Sequence, residues 1–101
     1  MTQRIRLLPE AEADIAEACD WYDEASSELG DRFLDAALET TSLIAEYPEG
    51  FALVHEDVRR ALMRSFPYGL FYFLDADAIV IFGCFHARRD PRVWQIRRRD
   101  E

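Results

Sequence analysis

Along the chain the apolar positions first alternate, then recur every three or four residues, then alternate again. Ile5 to Leu8 is a short apolar segment which, with the arginines at 4 and 6, fits an edge or outer strand. Pro9 suits the first turn of a helix, where a missing N–H costs nothing. Glu10 and Glu12 favour the positive end of that helix. Ala11, Ile15, Ala18 and Tyr22 form one helical stripe, with Glu12, Glu17, Asp20, Asp23 and Glu24 on the opposite side. An amphipathic helix to about Ala25 is predicted. Ser26 or Ser27 caps the next helix. Its stripe is Phe33, Ala37, Thr40, Ile44 and Tyr47, flanked by Leu34, Leu38 and Ala45, and Pro48 and Gly50 end it. Two such helices joined by about three residues make an antiparallel hairpin.

Phe51 to Asp57 shows no period and reads as irregular. Arg60 to Arg64 alternates apolar with charged, and Phe66-Pro67-Tyr68-Gly69 reads as a turn. Leu70 to Leu74 and Ile79 to His86 are further strands, joined tightly through Asp75-Ala76-Asp77. Asp90-Pro91 opens a short terminal helix carrying Trp94 and Ile96. The expected class is α+β in one domain, residues 1–101. Its order is β-α-α-β-β-β, a helical hairpin on a small antiparallel sheet with a short C-terminal helix. The hairpin goes down and returns, so the strand after it should run antiparallel to the first. The first strand can then lie beside either the second or the fourth and keep antiparallel pairing.

The two central strands are apolar on both faces, and a helical hairpin covers only one. Phe71, Phe73, Val80 and Phe82, or their complement, are therefore expected to look outward, on a face that needs the terminal helix, a second protomer or another protein as cover, Trp94 and Ile96 of the helix being small cover. Such a face predicts a protein partner. It also predicts a purified chain that is poorly soluble or dimeric.

Composition alters this picture in one respect. Half of the 101 residues are apolar and 32% are charged, as in globular proteins. The net charge of −8 hides a split. Residues 1–57 hold 15 acids and three arginines, for −12, whereas residues 58–101 hold nine arginines and five acids, for +4. There is no lysine. An acidic front half and an arginine-rich back half imply two surfaces with different partners. Ala78 to Phe85, the longest near-apolar run, is too short to cross a bilayer, which needs about 20 residues. The segment from Met1 to Arg6 lacks the apolar centre of a signal peptide. With Cys19 and Cys84 reading as buried thiols, a cytoplasmic protein is expected.

The stretch with chemical potential is His86-Ala87-Arg88-Arg89-Asp90-Pro91. Arginine forks bind phosphate and an imidazole moves protons near neutral pH. Arg59, Arg60 and Arg64 lie on a strand of the same sheet and extend that surface. RNA cleavage through the 2′-hydroxyl needs a base, an acid and a cation. His86, with Tyr68 or Tyr72 and an arginine, supplies them on paper. The plainer reading makes His86 a structural strand-end residue and pairs the arginines with Asp90, Asp57 and Glu56. His55 reads as solvated in a loop. No metal or cofactor is expected: no two His or Cys have ligand spacing, no glycine loop cradles phosphate, and Ser65 lacks elbow glycines.

An ordered set of segments resembles the ParE/RelE toxin superfamily of bacterial toxin–antitoxin systems. They are Pro9-Glu10-Ala11-Glu12, Trp21-Tyr22, Leu29-Gly30-Asp31-Arg32-Phe33-Leu34, Phe66-Pro67-Tyr68 with Tyr72, and His86 to Pro91. The likeness runs from residue 5 to 94. It implies a small cytoplasmic toxin neutralised by a cognate antitoxin, acting on DNA gyrase or as a ribosome-dependent mRNA endonuclease. The nuclease branch often carries a histidine or tyrosine near its extreme C-terminus, whereas this chain ends Ile96-Arg97-Arg98-Arg99-Asp100-Glu101. The resemblance therefore favours the ParE-like branch, binding gyrase without chemistry of its own. The target would meet Arg59, Arg60, Arg64, Arg88, Arg89 and Arg92. The antitoxin would meet Phe71, Phe73, Val80, Phe82, Trp94 and Ile96. Under the nuclease alternative the working groups would be His86, Arg64, Tyr72 and Arg88. A degenerate, non-toxic binding module is the third alternative.

Overall fold

The computed structural model describes residues 4–101; Met1–Gln3, part of the segment read as lacking a signal peptide, lie outside the described residues. The elements are β1 (Arg4–Leu7), α1 (Pro9–Ala25), α2 (Ser27–Glu46), β2 (Ala52–His55), β3 (Val58–Leu62), β4 (Tyr68–Asp75), β5 (Ala78–His86) and α3 (Pro91–Arg99). The strands form one sheet in the order β1-β5-β4-β3-β2. Among the described residues no helix is long and apolar enough to cross a membrane.

The expected class and helices are present, with one strand more than the periodicity gives. β2 lies inside the stretch read as irregular, four residues long and broken by a bulge between Leu53 and His55. So short and interrupted a strand leaves no period to read. Its presence changes the parity of the chain. With four strands after the hairpin instead of three, the last one runs in the same direction as the first. β1 accordingly pairs with β5 in parallel, from Arg4 opposite Ala78 to Leu7 opposite Ile81. β1 takes one of the two places expected for it, beside the last strand; its direction is the reverse of the expectation. The hairpin joint is also tighter, through Ser26 alone, and the Ser26 hydroxyl makes no cap bond to α2.

The sheet carries an apolar layer on each face. On one, Ala11, Ala18, Phe33, Ala37 and Ile44 of the hairpin pack over Leu70, Tyr72, Ile79, Ile81 and Cys84. On the other, Trp94 of α3 packs with Val58, Phe71, Phe73, Val80, Phe82 and Phe85. A bulge sorts β5 between them: Phe71 faces Gly83 but Tyr72 faces Ile81, so Phe82 is the extra residue. Gly83 is needed there, because a Cβ would run into the ring of the buried Phe85.

The expected open face is closed. Phe71, Phe73, Val80, Phe82 and Trp94 are all buried within the chain, and only Ile96, 50% exposed, reaches the surface. The short helix covers more than its apolar residues suggest because its arginines take part. The Arg98 guanidinium lies 3.6 Å from the Phe73 ring centroid and that of Arg97 lies 4.6 Å from Phe85. The ground for expecting poor solubility or a dimer goes with the open face.

Candidate functional site

Beyond Ile81, β5 outruns β1 and forms one wall of a groove of about 450 Å³. Asp14, Glu17, Trp21 and Glu24 recur along a single face of α1 and form the opposite wall with Asp20. Ala18 lies at its floor, and Tyr68, Cys84, Phe85, His86, Arg89 and Arg97 also line it. Trp21 is 64% exposed and meets Tyr22 edge to face at 5.0 Å. The Asp14 carboxylate ties three elements together: it accepts from Arg97 of α3 and from the Cys84 amide of β5 at 3.0 Å. Arg97 also reaches the Phe82 carbonyl at 3.3 Å.

His86 stands at the end of this groove. Its ring meets that of Tyr68 edge to face at 5.2 Å, and its Nδ1 accepts the Arg88 amide at 3.0 Å. The His86 carbonyl accepts the Arg89 amide at 2.9 Å, so the turn carrying both arginines is folded around the histidine. Burial pushes the Tyr68 phenol above its ordinary value. Tyr72 is not part of this cluster. It sits four residues along β4 from Tyr68, about 13 Å at strand rise, fully buried, its hydroxyl donating to the Pro48 carbonyl at 2.7 Å. Burial raises that phenol to about 12. Four candidate nuclease groups are thus not gathered: His86 and Arg88 share a turn, Tyr72 is core, and Arg64 lies exposed near Glu39 of α2 at 3.9 Å.

The six arginines named for target binding also divide. Arg59 is spent inside the molecule, donating to the Phe51 carbonyl at 2.7 Å and the Glu49 carbonyl at 3.2 Å. Arg92 grips Asp90, which caps α3 through the Arg92 amide at 3.0 Å. The Arg92 hydrogen bonds hold the Asp90 carboxyl below its ordinary value. Arg60 and Arg89 remain on the α3 face. Arg60 lies opposite Phe71, with its stem over Gly69, and Arg89 is 5.9 Å from the Phe85 ring centroid. Two strand spacings separate β3 from β5, roughly 10 Å. Arg88 and Arg64 are exposed. The plainer pairing expectation finds the acids paired but with other partners: Asp90 with Arg92 at 2.7 Å, Asp57 with Arg98 at 2.8 Å and Glu56 with His55 at 3.7 Å. His55 is not loop-borne: it lies in β2, half-buried, with its ring 6.1 Å from that of Trp94.

Sequence reasoning missed the groove itself. Its signal was available in Trp21, an aromatic that falls off the Ala11–Ile15–Ala18–Tyr22 stripe and onto the acidic side of the helix. The Asp14–Arg97 link spans 83 positions and left no local trace.

Comparison with known proteins bears on what this arrangement belongs to. Residues 5–91 match the family described as the ParE toxin of the type II toxin–antitoxin system parDE. Toxin ParE2 of Mycobacterium tuberculosis, from strains CDC 1551 / Oshkosh and ATCC 25618 / H37Rv, is 32% identical over 95 residues, covering 90% of this chain and 88% of that protein. A chain of the chromosomal ParDE system from P. aeruginosa superposes with a TM-score of 0.65 at 14% identity, over 84% of this chain and 96% of that one. A chain of the RelBE2 toxin–antitoxin complex from M. tuberculosis gives 0.60 at 22% identity, over 85% and 99%. These two likenesses are of fold.

Proposed function

The chain belongs to the ParE toxin family of type II toxin–antitoxin systems, and from that premise we propose that it acts in the cytoplasm by binding and inhibiting DNA gyrase, without catalysis of its own, until a cognate antitoxin neutralises it. The observation that carries the non-catalytic half of this reading is the setting of His86. Its neighbouring acid–base partner is Tyr68, and the groove they face is lined by Asp14, Glu17, Asp20 and Glu24. A phosphodiester entering that groove would meet carboxylates before it met Arg89. The phenol that the nuclease reading needs elsewhere, Tyr72, is committed to a backbone carbonyl. The antitoxin is supported by the neighbouring folds, both of which belong to toxin–antitoxin systems.

In this reading Arg60, Arg64, Arg88 and Arg89 carry the contact with the target, while Arg59 and Arg92 shape the surface around them. The test is induction in growing bacteria, with and without the antitoxin gene. Growth arrest, altered plasmid supercoiling, intact mRNA and rescue by the antitoxin are expected, and His86→Ala should retain all four. Cleaved mRNA that becomes intact with His86→Ala would instead establish the ribosome-dependent endonuclease. Harmless induction would establish a non-toxic binding module.

A further inference from the structure

Where β4 begins, the cover that α3 gives the sheet comes to an end. Gly69 stands there between Leu62 of β3 and Phe85 of β5. The Phe85 ring leans back over Gly83, where Arg97 of α3 covers it, whereas Leu62 is left 55% exposed. The place that a side chain at 69 would fill is taken by the stem of Arg60. Its Cγ lies 3.1 Å from the position of a Cβ, with Cδ2 of Leu62 beside it at 3.4 Å. The Arg60 side chain is therefore laid across β4 instead of standing off β3, and the residue is half-buried. The backbone does not ask for glycine at this position. Gly69 lies outside the left-handed region, and a glycine inside a strand weakens it. What the missing side chain provides is a bed for Arg60.

A cation held down in this way has no carboxylate of its own. Arg60, Arg88 and Arg89 are in no ion pair among the described residues, and Arg64 comes only within 3.9 Å of the exposed Glu39. The turn that carries Arg88 closes on the same end of the sheet, through the Ala87 amide and the Pro67 carbonyl at 2.7 Å. Leu62 follows Arg60 by two residues and so shares its face of β3. A guanidinium fixed beside an exposed leucine is complementary to a carboxylate that stands next to an apolar side chain.

We infer that Gly69 positions Arg60 to receive an acidic patch of the target protein, with Leu62 as the apolar contact beside it. The inference rests on the gyrase-binding reading and deepens it by naming the chemistry of the target surface and the residue that holds the cation in place. A second copy of the chain, offering its acidic hairpin, would join unlike faces in an open-ended array. A single-stranded nucleic acid would need aromatic rings on which to stack its bases. The exposed aromatics among the described residues, Trp21 and Tyr47, belong to the helical hairpin instead.

The experiment measures how much of the full chain halves supercoiling by intact DNA gyrase, at low and at high salt. Arg60→Ala should raise that amount about tenfold and lose part of the salt dependence. Leu62→Asp, which gives Arg60 a carboxylate within the chain, should match it. Gly69→Ala should raise the amount about fivefold although its denaturant midpoint is unchanged or higher, because the methyl displaces Arg60 and suits the strand. In the Arg60→Ala background the same methyl should add nothing, an outcome that a merely structural role for Gly69 would not give. A Gly69→Ala chain that inhibits as wild type does, or that loses as much without Arg60 as with it, would overturn the positioning role. Binding of single-stranded RNA, or self-association in sedimentation, that disappears with Arg60→Ala would overturn the assignment to an acidic protein surface. A wild-type chain that leaves gyrase fully active would overturn the gyrase reading and this inference together.

Discussion

The two faces of the sheet are closed by different means. The hairpin face is covered by two helices of 17 and 20 residues whose buried side chains are apolar save for Thr40, its hydroxyl donating to the Ala36 carbonyl of its own helix. Phe33 lies there fully buried, between Tyr22 at 5.4 Å, Phe66 at 5.2 Å and Tyr68 at 5.1 Å. The opposite face is covered by a nine-residue helix in which only Trp94 is buried. Arg97 and Arg98 complete that cover by lying over aromatic rings while their charged ends reach Asp14 and Asp57. A helix with a guanidinium in its packing layer needs few apolar residues, provided each cation keeps its carboxylate. The lesson is that the short face depends on specific pairs where the broad face depends on buried area.

The largest test of that contrast is Phe33→Ala. Removing a fully buried ring from the hairpin layer should cost about 3–5 kcal/mol. Denaturant titration should show the whole sheet losing stability together. Next comes Arg97→Ala, which strips a partner from Asp14, uncovers the Phe82 carbonyl and removes the cation from Phe85. Breaking a fully buried pair costs about 3–5 kcal/mol; with this pair partly solvated, roughly 2 kcal/mol is expected. Hydrogen exchange should show the α3 amides deprotected while those of α1 and α2 stay slow. Equal deprotection in both regions would break the comparison, because it would mean that the two layers unfold as one.

The legibility of the fold in the sequence divides along the same line. The hairpin could be read because its stripes are long and regular, with Pro9 and Pro48 marking their limits. The terminal helix could be placed from Asp90-Pro91, and the cap bond to the Arg92 amide is present. What covers the second face could not be read, since a rule that counts Trp94 and Ile96 as the only apolar cover treats Arg97 and Arg98 as solvent. Nor could the parallel pairing of β1, which is a consequence of the four-residue β2 and its bulge. The resemblance found the family, yet the groove on α1 depends on Asp14 meeting Arg97 across nearly the whole chain. Local spacing carries no information about such a pair.

A third prediction concerns alkaline pH and the hairpin layer. Burial pushes Cys84 from 9.0 to about 12 and Tyr72 from 10.0 to about 12. Both keep their protons in the folded state after the unfolded chain has released them. The unfolded state then binds fewer protons, so stability falls as pH rises through the window from about 9 to about 12. Tyr72→Phe should flatten the part of that fall above 10. It should also cost about 1 kcal/mol at neutral pH through the lost bond to Pro48. Denaturant midpoints measured from pH 7 to 11 check both effects, and an unchanged slope would show that the phenol is more hydrated than its position implies.

The smallest effect is expected at a turn that serves both layers. Ala76 joins β4 to β5 with φ of 53°, in the left-handed region. A side chain there costs about 1–2 kcal/mol, against roughly 0.5–1 kcal/mol for the extra freedom glycine brings to the unfolded chain. Ala76→Gly should therefore stabilise by about 0.5 kcal/mol. Because β4 and β5 underlie the hairpin and α3 alike, the gain should appear equally in the slowest-exchanging amides beneath each. A gain confined to the hairpin side would mean that α3 docks and undocks on a sheet already formed. That outcome would sharpen the contrast between the faces into two separate cooperative units.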